Sequence, residues 1–325
     1  MKKMLKITLF AALTALSGAV GASNYGPITI DTVKAVIQHN GVNKDTLLLR
    51  AVIDGNSDET LSITEDVVVS EVVVRRKFLA GKPQTMVLPF SISNGSWRAQ
   101  PLKFWRYVGM EQRGPDWIFK TNSYSNDIDA NTPFVVTSEQ DADSIVFNMS
   151  WKDNVQYGNV TMNTTAGGNM EVEHDDWIFK GTYSRIDWVK GHKDLGYVYG
   201  FSAKNKGNVT VGQFVKAAPS DTSHPYIRSM RGYLFYSAAE TSAKKVSSTA
   251  SVGKVGAIPV DSLPQTIEMI FDDSDSSGSV GIGRMNTVTG EMTIDHWVDM
   301  KGRKLDSRPS AKGVYYNNRK KVIVK

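Results

Sequence analysis

The chain has no cysteine. No disulfide, thiolate metal site or catalytic thiol can therefore form, and the fold must be held by its own core. Histidine is scarce too: His39, His174, His192, His224 and His296 are the only five in 325 residues. None falls in a His-x-x-x-His or His-Glu-x-x-His spacing, so zinc chemistry has no local support. His174, followed by Asp175 and Asp176, reads as part of a solvated turn. There is no Gly-x-Ser-x-Gly elbow. The Gly-x-x-Gly-x-Gly run at 278–283 lacks the strand-to-helix setting of a nucleotide loop.

Long apolar runs are nearly absent. The one exception is residues 7–20, preceded by Lys2, Lys3 and Lys6 and followed by Val20-Gly21-Ala22. It is shorter than the roughly 20 apolar residues that a spanning helix needs. A basic start, a short apolar stretch and small residues at the end make residues 1–22 a secretory signal peptide, with cleavage expected after Ala22. No other segment is long and apolar enough for a spanning helix, so the processed chain is expected not to span a membrane. What remains, roughly 300 residues, suffices for one large or two modest domains.

A basic body is missing as well. The full chain carries a formal charge of +5, and three of those charges leave with the signal. Residues 301–325 hold nine Lys or Arg against Asp306 alone. The segment between the two ends is therefore net acidic. Nucleic-acid binding, which needs a clustered basic surface on the folded domain, is not expected.

Helical periodicity is the last thing lacking. Apart from the signal, no window repeats apolar residues about every 3.6 positions between recognisable caps. Residues 238–245 are the best short helical candidate. What is present is β-branched and turn-rich. Residues 67–74 hold six valines in eight positions, which favours a strand because β-branched side chains lose rotamer freedom in a helix. Residues 47–53 read as a strand entering an Asp54-Gly55-Asn56 turn, and 85–90 as a strand that Pro89 confines to an edge or bulge. Further strands are expected at 134–136, 144–149, 159–162, 177–179, 197–202, 233–236, 266–271 and 314–316. Many short strands between Gly, Asn, Asp and Ser clusters predict an all-β fold, an antiparallel β-sandwich of one or two units with a short C-terminal β tail.

One pentapeptide occurs twice. Asp116-Trp117-Ile118-Phe119-Lys120 returns as Asp176-Trp177-Ile178-Phe179-Lys180. Two copies are too few for a solenoid. They read as equivalent core strands, on opposed sheets; the functional alternative is a paired aromatic binding site.

Three site chemistries were weighed. The acidic run Asp272-Asp273-Ser274-Asp275-Ser276-Ser277-Gly278 resembles a calcium loop until its twelfth position, where Arg284 stands in place of the bidentate Glu; it reads as a polar hairpin loop. Glycoside hydrolysis requires two carboxylates across a cleft, and no pair is identifiable. Trp97, Trp105 and Tyr107, interleaved with Arg98, Lys103 and Arg106, are candidate glycan-binding rings if exposed and core residues if buried. Trp105 and Tyr107 share one face of a strand by its period of two. No metal or cofactor is expected.

Two stretches carry a resemblance. The segment Asp299-Met300-Lys301-Gly302-Arg303-Lys304, then Lys312-Gly313-Val314-Tyr315-Tyr316, then Lys320-Lys321-Val322-Ile323-Val324-Lys325 is similar to the C-terminal sorting tails of bacterial type IX (Por) secretion cargo. In such tails an Asp-x-x-Gly-Arg turn, a Lys-Gly-x-Tyr strand and a basic-apolar ending recur, here with Gly302, Arg303, Lys312, Gly313, Tyr315 and Lys325. The body resembles a recurring β-domain of secreted multidomain proteins bearing these tails. Its matching pieces are residues 76–81 leading to 85–90, then 131–136, 179–183 and 228–233. That domain is an accessory region with no established catalytic residues.

The resemblance implies export through the outer membrane, with secretion machinery and cell envelope as partners. The expected organisation is a signal peptide at 1–22, an N-terminal β segment at 23–75, a sandwich body at 76–283 and a sorting or anchoring β tail at 284–325. The function expected is that of a non-catalytic secreted or outer-surface β-protein. The alternatives are an adhesin-like module that binds polysaccharide through exposed aromatics and, last, a glycoside hydrolase-type enzyme.

Overall fold

The structure, a computed structural model, describes residues 25–39, 42–93, 101–114, 116–148, 159–165, 167–202, 205, 209–237, 260–272, 282–285, 292–295, 297–300, 304–305, 312–317 and 320–324. Among them the only helical turn is a 3-10 turn at Val260–Ser262. The rest of the regular structure is β.

In chain order the strands are β1 (Ile28–His39), β2 (Val42–Asp54), β3 (Val67–Val69), β4 (Glu71–Phe78), β5 (Gln84–Met86), β6 (Leu102–Arg113), β7 (Asp116–Ser123) and β8 (Phe134–Ser138). They continue with β9 (Ala142–Asn148), β10 (Val160–Met162), β11 (Glu171–His174), β12 (Trp177–Thr182), β13 (Ile186–Asp187), β14 (Val198–Phe201), β15 (Phe214–Lys216) and β16 (Tyr226–Ile227). The last eight are β17 (Arg231–Tyr236), β18 (Thr266–Asp272), β19 (Ile282–Met285), β20 (Met292–Asp295), β21 (Trp297–Asp299), β22 (Lys304–Leu305), β23 (Gly313–Asn317) and β24 (Lys320–Val324).

A four-stranded sheet runs β1-β2-β4-β9, and a large sheet runs β11-β12-β17-β14-β15-β18-β7-β6-β8-β5 with β19 and β20 attached. The all-β, sandwich-like fold is thus present. Its pairing is mostly antiparallel, with two parallel exceptions, β2 with β4 and β18 with β7. Both parallel partners are joined by long connections, as parallel pairing demands.

Register explains how one sheet serves two cores. Phe104 pairs with Val136 and Trp105 with Val135 across β6 and β8. Successive side chains leave a strand on opposite faces. Phe104 and Val136 accordingly enter the core shared with β1, β2, β4 and β9, alongside Ile53, Val74 and Phe147. Trp105 and Val135 enter a second core, where the large sheet folds over on itself around Phe119, Phe179, Phe214 and Leu234. β6 and β8 are therefore a middle layer, apolar on both faces. A smaller cluster under β14 and β17 is built on Trp188 and Val198.

The valine run does not form one strand. β3 pairs with β10, whereas β4 pairs with β2 and β9. At the break the Ser70 N–H donates to the Leu49 carbonyl at 2.8 Å. The strand expected at 85–90 stops at Met86, before Pro89, which has no N–H to give a ladder. Two expected boundaries also need correction. The break at 75/76 falls inside β4 and the one at 283/284 inside β19. The N-terminal hairpin is part of the body's own sheet. The signal segment and the short helical candidate at 238–245 lie outside the described residues.

β21 to β24 form a separate antiparallel sheet, in the order β22-β21-β23-β24. Among the described residues its strands pair only with one another, and Lys312 directly precedes the β23–β24 hairpin.

Candidate functional site

The aromatic candidates are core. Trp105 is 0 % and Tyr107 3 % exposed. They do share the inner face of β6, but that face lies inside the folded-over sheet. The Trp105 Nε1–H donates to Thr137 Oγ1 at 2.8 Å, and its ring meets Phe271 edge-on at 4.9 Å. Tyr107 stacks on Phe119 at 4.4 Å and meets His174 edge-on at 5.0 Å. Burial, then the nearby Asp175 charge, raise the Tyr107 phenol far above its ordinary value. A glycan needs an exposed ring face to stack on, so of the two readings of Trp105 and Tyr107 the core one holds and the candidate glycan platform at them is corrected. Trp97 lies outside the described residues.

The repeated pentapeptides face each other. Trp117 and Trp177 are 5.4 Å apart, and Phe119 and Phe179 meet at 5.2 Å in a T-shaped pair. They sit on β7 and β12, distant positions of one sheet brought together by its folding.

The remaining expected sites are dispersed. Of the tail residues, Gly313 and Tyr315 lie on β23 and Lys312 is exposed just before it; Gly302, Arg303 and Lys325 lie outside the described residues. Residues 273–278 of the acidic run also lie outside them. His174 ends β11 half-buried, so it is not a solvated turn residue. Among the described residues, no group of three or more His, Asp or Glu side chains is placed to hold a metal ion.

What the fold does assemble is a polar seam between the two sheets. Arg76 lies on the core face of β4, between Val74 and Phe78 in the strand's alternation. It is only 8 % exposed, and its Nη1 donates to the Thr85 carbonyl at 2.9 Å. The Thr85 hydroxyl donates to the Gly232 carbonyl at 2.8 Å and accepts from the Gly232 N–H at 3.1 Å. Next to Gly232, Arg231 Nη2 donates to the Gly55 carbonyl at 2.5 Å. Gly55 closes the seam: a Cβ there would stand 2.9 Å from the Arg75 carbonyl oxygen and 3.0 Å from Arg76 Cβ, so no larger residue fits. Met230, buried, holds a left-handed φ of 57°, and its N–H donates to the Thr182 carbonyl at 2.7 Å. Nearby, the Tyr183 hydroxyl donates to Asn131 Oδ1 at 2.5 Å.

Burial and the neighbouring Arg231 charge hold the Arg76 guanidinium well below its ordinary pKa. Burial and Arg228 bring Arg231 down to about 10, against the opposing pull of Asp54. Sequence reading missed both arginines. The signal was available for Arg76, because a period of two along Val72, Val74, Arg76 and Phe78 puts a charge on a core face.

At the outer rim of the seam the charges are paired. Arg185 grips Asp187 through Nε and Nη2 at 2.9 Å each, and its Nη1 reaches Asp58 at 2.8 Å. Arg228 Nε holds the other Asp58 oxygen at 2.9 Å, and His224 Nε2 lies 3.0 Å from Asp187. The Arg185 guanidinium also covers the ring of Tyr226, at 4.1 Å. Arg185's hydrogen bonds, ahead of its charge and that of His224, hold the Asp187 carboxyl below its usual value. A depressed carboxylate contributes stability that is present above its unfolded pKa and is lost as pH falls through the lowered folded value. The group is exposed, so the contribution is small. Asp187→Asn is expected to cost less than about 1 kcal/mol at neutral pH. Urea unfolding of both proteins should show that gap closing below the normal carboxylate range; a gap indifferent to acid would refute the assignment.

Comparisons with protein-family models, with curated proteins and with solved structures find no match to this chain.

Proposed function

We propose that the chain is a non-catalytic, exported β-protein of the outer cell surface, with the C-terminal sheet as its delivery and attachment element. The observation that carries this is the tail's independence. Among the described residues, β21 to β24 pair in one sheet of their own, which shares no strand with the body's sheets. Of its side chains, Asp299, Leu305, Val314, Tyr315 and Val322 are half-buried, and Tyr316, Lys321 and Ile323 are exposed. Tyr316 and Ile323, the latter 61 % exposed, leave apolar surface outward beside exposed Lys312 and Lys321. A short sheet that buries little gains little from hydrophobic burial, so its apolar and basic surface is better explained as something to be recognised. Two of the body's aromatics point the same way: Trp105 and Tyr107, weighed as part of a ligand platform, lie in its core.

The test is a truncation after Asp295, expressed in a bacterium with type IX secretion machinery. The truncated chain should keep the body's β-sheet circular dichroism and its melting transition. It should accumulate in the periplasm, with surface labelling at background. Normal surface labelling of the truncated protein would overturn the proposal.

A further inference from the structure

The polar seam contains two guanidinium groups that no described carboxylate pairs with. Among the described residues no carboxylate lies within 4.0 Å of Arg76 or of Arg231. Asp58 is taken by Arg185 and Arg228. Asp54 acts on Arg231 only at longer range. A guanidinium has five N–H donors. Arg76 places one on Thr85, and Arg231 places two, on Gly55 and Met230. Both groups flank the same residue, since Gly55 packs on the Arg76 stem and accepts from Arg231. A buried charge is costly unless an opposite charge and hydrogen bonds meet it. Two of one sign side by side raise that cost.

From these two guanidiniums and their unused donors, we propose that Arg76 and Arg231 form an oxyanion-binding site at Gly55, taking a small tetrahedral anion, sulfate or phosphate, between their two forks. Planar guanidinium forks match pairs of oxyanion oxygens. Arg231 is half-buried and lies toward the rim, so the anion enters there, and Arg76 forms the floor. Arg231 follows the left-handed Met230 and reaches the Gly55 carbonyl through Nη2. The same anion offsets the burial that both guanidiniums bear and the Arg231 charge that weighs on Arg76. The site stands independently of how the protein is exported.

Thermal unfolding of the chain, titrated with inorganic sulfate and inorganic phosphate at ionic strength held constant with chloride, tests this. Saturable binding to the folded state alone raises the melting temperature. A rise of at least about 3 °C is expected for one of the two ions, levelling off at millimolar concentration. Arg231→Gln should abolish the saturable rise while keeping the native circular dichroism. Arg76→Lys, which keeps charge but loses the fork, should weaken it at least about tenfold in half-saturating concentration. Whichever ion saturates first identifies the ligand. Two outcomes overturn the site: no rise with either ion, or a steady, non-saturating rise equal in wild type and Arg231→Gln. The latter is general exclusion of these salts from protein surface.

Discussion

Trp105→Ala is expected to destabilise the protein by about 3–5 kcal/mol, and to do so whether or not any polysaccharide is present. The whole indole is buried, it meets Phe271 edge-on, and its N–H is satisfied by Thr137. Truncation removes one of the two buried indoles of that core, the other being Trp177, and leaves a cavity that a sheet layer packed on both faces cannot close. Two milder variants separate packing from hydrogen bonding. Thr137→Val leaves the indole N–H buried without a partner, at a cost of about 1–3 kcal/mol. Trp105→Phe keeps most of the volume and removes the donor. Combined, the two should cost less than their sum, because the orphaned donor exists only in the single Thr137 variant. Urea unfolding curves at matched slope read all four proteins. A Trp105→Ala protein as stable as wild type that fails to bind cellulose, xylan or chitin would reinstate the glycan reading and contradict the burial.

The same residue shows what a sequence can and cannot tell. Period-two alternation correctly puts Trp105 and Tyr107 on one face of a strand. Whether that face looks outward depends on residues far away, here Phe179, Phe214 and Phe271, brought over it by the folding of one sheet. Strand content was legible for the same local reasons: six valines between 67 and 74 and turn residues at 54–56. Partner choice was not. Nothing in the valine run announces that Val67–Val69 pairs with β10 while Glu71–Phe78 pairs with β2 and β9. Nor does local pattern reveal that β2 and β7 each take a parallel neighbour. The expected boundary at 75/76 failed on this point, since β4 hydrogen-bonds the N-terminal hairpin to the body. The seam was half legible: alternation assigns Arg76 to a core face, but only the fold brings Arg231 and Gly55 beside it.

The second large effect is expected where the two Trp-Ile-Phe copies meet. Phe179→Ala should cost about 3–5 kcal/mol, as should Phe119→Ala. Both rings are fully buried, and Phe179 touches Phe119, Tyr107 and Phe214 at centroid distances between 5.2 and 6.1 Å. On its far side there is no slack. A Cβ on Gly232 would lie 2.6 Å from the Phe179 ring, so β17 approaches closely enough to exclude even a methyl group. Two readings of the repeat then separate. If the copies formed a binding pair, a ligand would have to pass between Phe119 and Phe179, and the rings would be independent of one another in the free protein. In the fold they are in edge-to-face contact, which in double-mutant cycles is worth about 0.5–1.5 kcal/mol beyond area burial. The double alanine variant should therefore cost less than the two singles together, by about that amount. Trp117 and Trp177 supply an internal control, because their contact is tilted and Trp117 is only half-buried, whereas Trp177 is wholly inside. Trp177→Ala should accordingly cost more than Trp117→Ala. Strict additivity at the phenylalanines, or equal losses at the tryptophans, would show that the two strands do not pack face to face and would remove the central contact of the second core.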